Sequence, residues 1–108
     1  VEVVKMTEEQ KKHKLAYLRS QKENPTGNYR KYLVRLYEYV KEDSKVDGRG
    51  WSKAETRKML DYVYEGRPDH MGFEMLSEYK KTLKELGYIK FIKENNEWHL
   101  YITKELDF

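Results

Sequence analysis

The chain has no cysteine, only two prolines and six glycines. Without thiols, neither a disulfide framework nor a thiolate metal site can form. Long apolar runs are absent too: no stretch approaches the roughly 18 residues that would span a bilayer. The first residues are already charged, unlike a secretory leader. The expectation is a soluble, cytoplasmic protein with no membrane partner.

The usual marks of catalysis are equally scarce. His13, His70 and His99 fall on three different segments, with no His-x-His or His-Glu-x-x-His spacing to hold a metal. No glycine-rich loop ends in Lys-Ser or Lys-Thr to cradle phosphate, and Gly48-Arg49-Gly50 reads as an ordinary loop. Ten tyrosines raise the idea of a phenolic nucleophile. No metal-binding or arginine-rich motif accompanies them, and packing explains them better. No catalytic residue, metal or cofactor is expected, and the protein is not expected to be an enzyme.

What is present is a 108-residue chain, 38% apolar and 38% charged, with a net charge of +3. That length suits one domain with one modest core. Mild basicity permits a nucleic-acid partner without demanding one.

The most informative stretch is Met71 to Thr103. Met75, Leu76, Tyr79, Leu83 and Leu86 recur at helical spacing, predicting a helix from about His70 to Leu86. Gly87 stands where a helix C-terminus favours a left-handed residue, with Tyr88 as its apolar contact. The period then changes to two. Taking Asn95-Asn96 as a tight turn pairs Ile89 with Ile102, Phe91 with Leu100 and Lys93 with Trp98. In that register Ile89, Phe91, Trp98, Leu100 and Ile102 share one face, Lys93 being out of place. Lys90, Glu94, Glu97, His99 and Tyr101 share the other, with Ile92 the exception.

Upstream, Thr7-Glu8-Glu9-Gln10 matches a capping box and opens a helix to about Gln21. Its apolar face is thin, so Leu15 and Leu18 must find cover on the domain or on a second copy. Asn24-Pro25-Thr26-Gly27 breaks the chain. Asn28 then caps a helix to about Glu42, with Tyr29, Leu33, Leu36, Tyr37 and Val40 as its stripe. Asp43 to Gly50 is a polar loop. Ser52-Lys53-Ala54-Glu55 resembles a second capping box, with Trp51 stapled on Thr56. A third helix follows, with stripe Thr56, Met59, Leu60 and Val63, ended by Gly66. Arg67-Pro68-Asp69 makes the turn, and Asp69 caps the next helix. Val1 to Met6 is either frayed or an added edge strand.

Helix, helix, helix, glycine stop and hairpin together resemble the winged helix-turn-helix superfamily. The strongest likeness lies in Leu83-Lys84-Glu85-Leu86-Gly87-Tyr88-Ile89 and the hairpin after it. It is similar to the recognition-helix end and wing of small bacterial, archaeal and archaeal-virus regulators. The likeness covers about Tyr29 to Thr103 and rests on architecture, not on an invariant motif. It implies an α+β, mostly α fold: a three-helix core plus a C-terminal two-stranded wing, with an additional N-terminal helix. Residues 1–27 would be a helical extension and residues 28–108 the winged-helix domain.

The resemblance also implies a function: sequence-specific binding of double-stranded DNA by a transcriptional regulator. It would act as a homodimer through the N-terminal helix. The helix at 70–86 would enter the major groove, presenting His70, Ser77, Lys80, Lys81 and Lys84, with Arg67 at its entrance. Lys93, Asn95 and Asn96 would serve from the wing. Glu74 and Glu78 count against this, because a carboxylate repels phosphate unless it accepts from a cytosine amino group. From Gly66 to Gly87 acids and bases balance. The basic excess lies instead at Lys11, Lys12, His13, Lys14, Arg19, Lys22, Arg30, Lys31 and Arg35. The alternative is a winged-helix protein-interaction module, a scaffold or inhibitor without tight DNA binding, using that acidic face.

Overall fold

A computed structural model describes residues 6–53, 55–64 and 73–108. In chain order these form α1 (Glu8–Glu23), α2 (Tyr29–Asp43), a 3-10 turn (Val46–Gly48), α3 (Thr56–Val63), α4 (Phe73–Glu85), β1 (Ile89–Glu94) and β2 (Glu97–Ile102). The chain is α+β and mostly helical, with one two-stranded antiparallel sheet among the described residues. The expected edge strand at Val1, the glycine stop at Gly66 and the Arg67-Pro68-Asp69 turn lie outside them. So do Arg67 and His70 of the expected site.

Helix α2 is the hub of the packing, touching α1, α3, α4 and β2. Its Leu33, Leu36, Tyr37 and Val40 are buried as the 3.6-residue period requires, while Tyr29 is only half-buried. Around them gather Leu18 from α1, Met59 and Val63 from α3, Leu76 and Leu83 from α4, and Ile89 and Leu100 from the hairpin. Leu18 is completely covered by its own chain. The need for a second copy to cover that face is therefore removed.

The end of α4 follows expectation in detail. Gly87 has φ +88°, in the left-handed region that favours glycine. The Tyr88 amide donates to Leu83 and the Gly87 amide to Lys84, both at 3.0 Å, which is a Schellman cap. The hairpin register is also the one read from the sequence, from Ile89–Ile102 to Glu94–Glu97. Asn95 and Asn96 carry φ of 50° and 63°, as a type I′ turn demands at both central positions. At the other end of the chain, Thr7 and Gln10 form the expected capping box, with exchanged bonds of 3.1 and 2.9 Å.

Five expectations are corrected. Ser52 does not cap a helix; α3 begins at Thr56 with Glu55 at its cap position. The Ser52 backbone instead exchanges hydrogen bonds with Leu100, at 2.8 and 3.0 Å, and its hydroxyl donates to Asp43 Oδ2 at 2.7 Å. That commitment leaves the hydroxyl unavailable to a helix terminus. Trp51 is likewise not stapled on Thr56, which is exposed; it stacks on His99, 3.5 Å between centroids. His99 is therefore buried, although the hairpin pattern placed it on the wet face. Met75 is 43% exposed, because the buried arc of α4 is centred on Leu76, Tyr79, Leu83 and Leu86. Finally, Asn28 holds the cap position of α2 without making a side-chain cap bond.

The last residues, on which the sequence pattern is silent, fold back over the core. Tyr37 donates its hydroxyl to the Lys104 carbonyl at 2.9 Å, and Tyr88 donates to the Asp107 carboxylate. Phe108 is buried against Tyr88, with ring centroids 5.3 Å apart. Arg30 donates to the Phe108 main-chain oxygen at 2.8 Å, and Arg19 lies 3.8 Å from Asp107.

Candidate functional site

Successive residues of an α-helix are turned about 100° from one another. Applied to α4, this puts Leu76, Tyr79, Leu83 and Leu86 on one arc, and all four are buried. The outward residues then divide by charge. Lys80, Lys84, Ser77 and Lys81 follow one another around one flank. Glu74, Glu85 and Glu78 continue on the other, beside Thr82. The balance of acids and bases along this helix is thus a segregation across it.

The basic flank faces the hairpin. Lys84 Nζ lies 5.6 Å from the centroid of Phe91. Lys80 shares a groove of about 730 Å³ with Lys53, Glu55 and Thr56 at the start of α3, and with Phe91, Glu97, Trp98 and Leu100 of the hairpin. Desolvation there lowers the Lys80 ammonium pKa below its ordinary value, since burial disfavours the charged form. Beyond the acidic flank, Thr82 faces α1. One turn on from Glu78, it lines a second hollow with Gln10, His13 and Tyr17.

Trp98 is 54% exposed although it stands on the hairpin's apolar face. Phe91 meets it edge-on, with centroids 6.4 Å apart, as diagonal neighbours across an antiparallel pair can. Lys93 holds its ammonium 5.8 Å from the Trp98 ring. Beyond it, Asn95 and Asn96 are exposed at the tip, where their first duty is to form the turn.

Of the expected site residues, Ser77, Lys81, Lys84, Lys93, Asn95 and Asn96 are exposed and Lys80 is half-buried. Lys80 and Lys84 reach the hairpin's aromatic face, and Lys93 joins it there. Ser77 and Lys81 continue that flank outward, while Asn95 and Asn96 stand apart at the tip. Lys53 and Phe91 belong to the same surface and are absent from the sequence-derived set. Phe91 was legible in principle: the register makes it a diagonal neighbour of Trp98. Lys53 was not, because only the Ser52–Leu100 bridge brings it beside the hairpin.

Two charged clusters beside this surface are tied into the fold itself. Gly48-Arg49-Gly50 is a structural loop: Arg49 donates to Asp43 Oδ2 at 2.9 Å and to the Trp51 carbonyl at 2.6 Å. Asp43 also accepts from Ser52 Oγ and the Lys53 amide. His99 has Glu94 3.5 Å from Nδ1 and Glu97 3.6 Å from Nε2, pairs that are ionic only when the ring is protonated. No helix among the described residues is long and apolar enough to cross a membrane. Comparison with family models, with curated proteins and with solved structures finds no match for this chain.

Proposed function

We propose that the protein binds double-stranded DNA as a winged helix, with α4 in the major groove and the hairpin as its wing. The observation that carries this reading is the basic flank of α4 turned toward the hairpin. Among the described residues, Lys80, Lys81, Lys84 and Lys93 have no carboxylate partner, and they lie on one side of the domain. Helices α2, α3 and α4 packed against a hairpin support the winged-helix assignment. On this reading Lys81 and Ser77 meet base edges, while Lys84 and Lys93 hold phosphates. Arg67 and His70, which precede Phe73 in the sequence and lie outside the described residues, are proposed to extend the contact. Transcriptional regulation by a homodimer is the finer form of the proposal. Tyr17, 47% exposed beside the hollow on α1, is the apolar residue left there for a second copy.

Duplex titrations at two salt concentrations test it. Lys81→Ala should cost roughly 1–3 kcal/mol on the preferred sequence and relax preference at one base pair. Lys93→Ala should weaken all sequences alike and lower the salt slope by about one. If both variants fold and neither changes duplex affinity, the groove-helix reading fails. A protein-interaction module then takes its place. The exposed strip Glu74, Met75 and Glu78 is the specific surface that favours this second reading.

A further inference from the structure

We propose that the groove between α3, α4 and the hairpin binds single-stranded nucleic acid, one base stacking on Trp98 and the adjoining phosphates lying on Lys80 and Lys53. A duplex keeps its base faces inside the stack, so this is a second binding mode and does not depend on the first. Four features converge on it.

The first is the ring itself. A tryptophan more than half exposed on a face whose Ile89 and Leu100 are buried is a platform without a cover. Phe91, edge-on to it, fixes its orientation and adds a second aromatic wall. The second is charge. Lys53, Lys80, Lys84 and Lys93 surround the two rings, and none is paired with a carboxylate among the described residues. The third is that one of the groove's two acids, Glu55, is engaged elsewhere, 3.0 Å from Lys58. Glu97 lies 3.6 Å from His99 and is paired only when that ring is protonated.

The fourth is size. A volume of about 730 Å³ falls within the range of clefts that take a nucleotide-sized ligand, about 300–1,000 Å³. The occupant must be flat, aromatic and anionic, with rings and charges alternating along one strand. A nucleotide strand has this character at every residue, whereas a peptide has it only in rare sequences. Base–aromatic stacking also tolerates any base, so the mode should show little sequence preference. Desolvation at Lys80 agrees with a charge poised to regain a counter-ion on binding.

The experiment uses the full chain, a fluorescently labelled oligothymidine and a duplex of equal length, followed by anisotropy. Oligothymidine should bind, and Trp98→Ala should weaken it about tenfold while changing duplex affinity less than twofold. Trp98→Phe should keep most of the affinity, and Lys80→Gln should lower the single-strand salt slope. Lys81→Ala should weaken the duplex and leave oligothymidine within twofold, which separates this proposal from the duplex reading. Absence of oligothymidine binding overturns the proposal, as does equal loss on both ligands with Trp98→Ala. Tighter, Trp98-dependent binding of polyglutamate than of oligothymidine overturns it as well, since the groove would then take acidic peptide.

Discussion

The protein has two basic regions, and they are built differently. In α1 and α2 the cations are largely spent on the chain's own structure. Arg35 donates twice to the Tyr62 carbonyl, at 2.8 and 2.6 Å, and lies 4.7 Å from that ring. Arg30 and Arg19 hold the C-terminal segment, and Lys14 reaches the Tyr29 hydroxyl at 3.3 Å. On α4 and the hairpin, the lysines rest on aromatic faces or stand in solvent. The difference teaches that a count of bases does not locate a binding surface. An arginine already donating to a carbonyl cannot grip a phosphate without giving something up, whereas an exposed lysine loses only water.

The largest effect should come from the core on which both regions stand. Leu83 is completely buried where α4 meets the hairpin. Leu83→Ala should cost about 2–5 kcal/mol by denaturant titration, and a variant within a few tenths of the parent would remove it from the core.

The comparison itself is tested by a crossed pair of substitutions. Arg35→Ala should cost about 1.5–3 kcal/mol of stability, since it removes charged hydrogen bonds from a half-buried carbonyl. Its duplex affinity, measured while folded, should stay within twofold. Lys84→Ala should do the reverse: stability within about 0.5 kcal/mol of the parent, but a weaker duplex complex with a shallower salt slope. If Arg35→Ala loses as much affinity as Lys84→Ala, the two regions are one surface and the contrast collapses.

Alkaline pH sharpens the same contrast from beneath. Burial pushes the phenols of Tyr39 and Tyr64 from the ordinary 10.0 up to about 12. Tyr88 is raised as well, by burial and then by its hydrogen bond to Asp107. A folded-state pKa above the unfolded one means that the neutral phenol stabilises the fold. That contribution is complete below about pH 10 and is lost as pH rises through the folded values. Melting temperature should therefore fall between about pH 10 and pH 12. Tyr64→Phe should flatten the fall by removing one of these titrating phenols, at little other cost, because the buried Tyr64 hydroxyl has no hydrogen-bond partner among the described residues. An unchanged alkaline profile in that variant would assign the loss to other groups.

The hairpin and the glycine cap were legible because their signals are local. The alternation of side chains sets the register, Asn95-Asn96 admits the turn, and Gly87 alone takes the cap's conformation without strain. Trp51 and Ser52 were misread for the opposite reason. Each has a plausible local role at a helix start, and each is claimed by a residue about fifty positions away, His99 or Leu100. The role of α2 as hub was hidden too, since its stripe looks like that of any amphipathic helix. The same limit applied to the site. Lysine positions along α4 could be read from the sequence, but which flank faces the hairpin depends on tertiary packing. So does the knowledge that the N-terminal arginines already have acceptors.

The smallest effect tests the boundary between the two halves of α4. Glu74 and Glu78 lie just past Lys81 around the helix. Were they inside the DNA footprint, each would repel phosphate through solvent, at a cost of no more than about 1 kcal/mol. Replacing both by glutamine should then strengthen non-specific duplex binding roughly two- to fivefold at low salt. The preferred sequence can respond differently. A glutamate that accepts from a cytosine amino group loses a contact on conversion to glutamine, so specific affinity would fall while non-specific affinity rises. Opposite shifts would place Glu74 or Glu78 at a base edge, and a uniform rise would place them near the backbone. No change in either would put the acidic flank outside the footprint, bounding the nucleic-acid surface at Lys81 and leaving Glu74, Met75 and Glu78 to a protein partner.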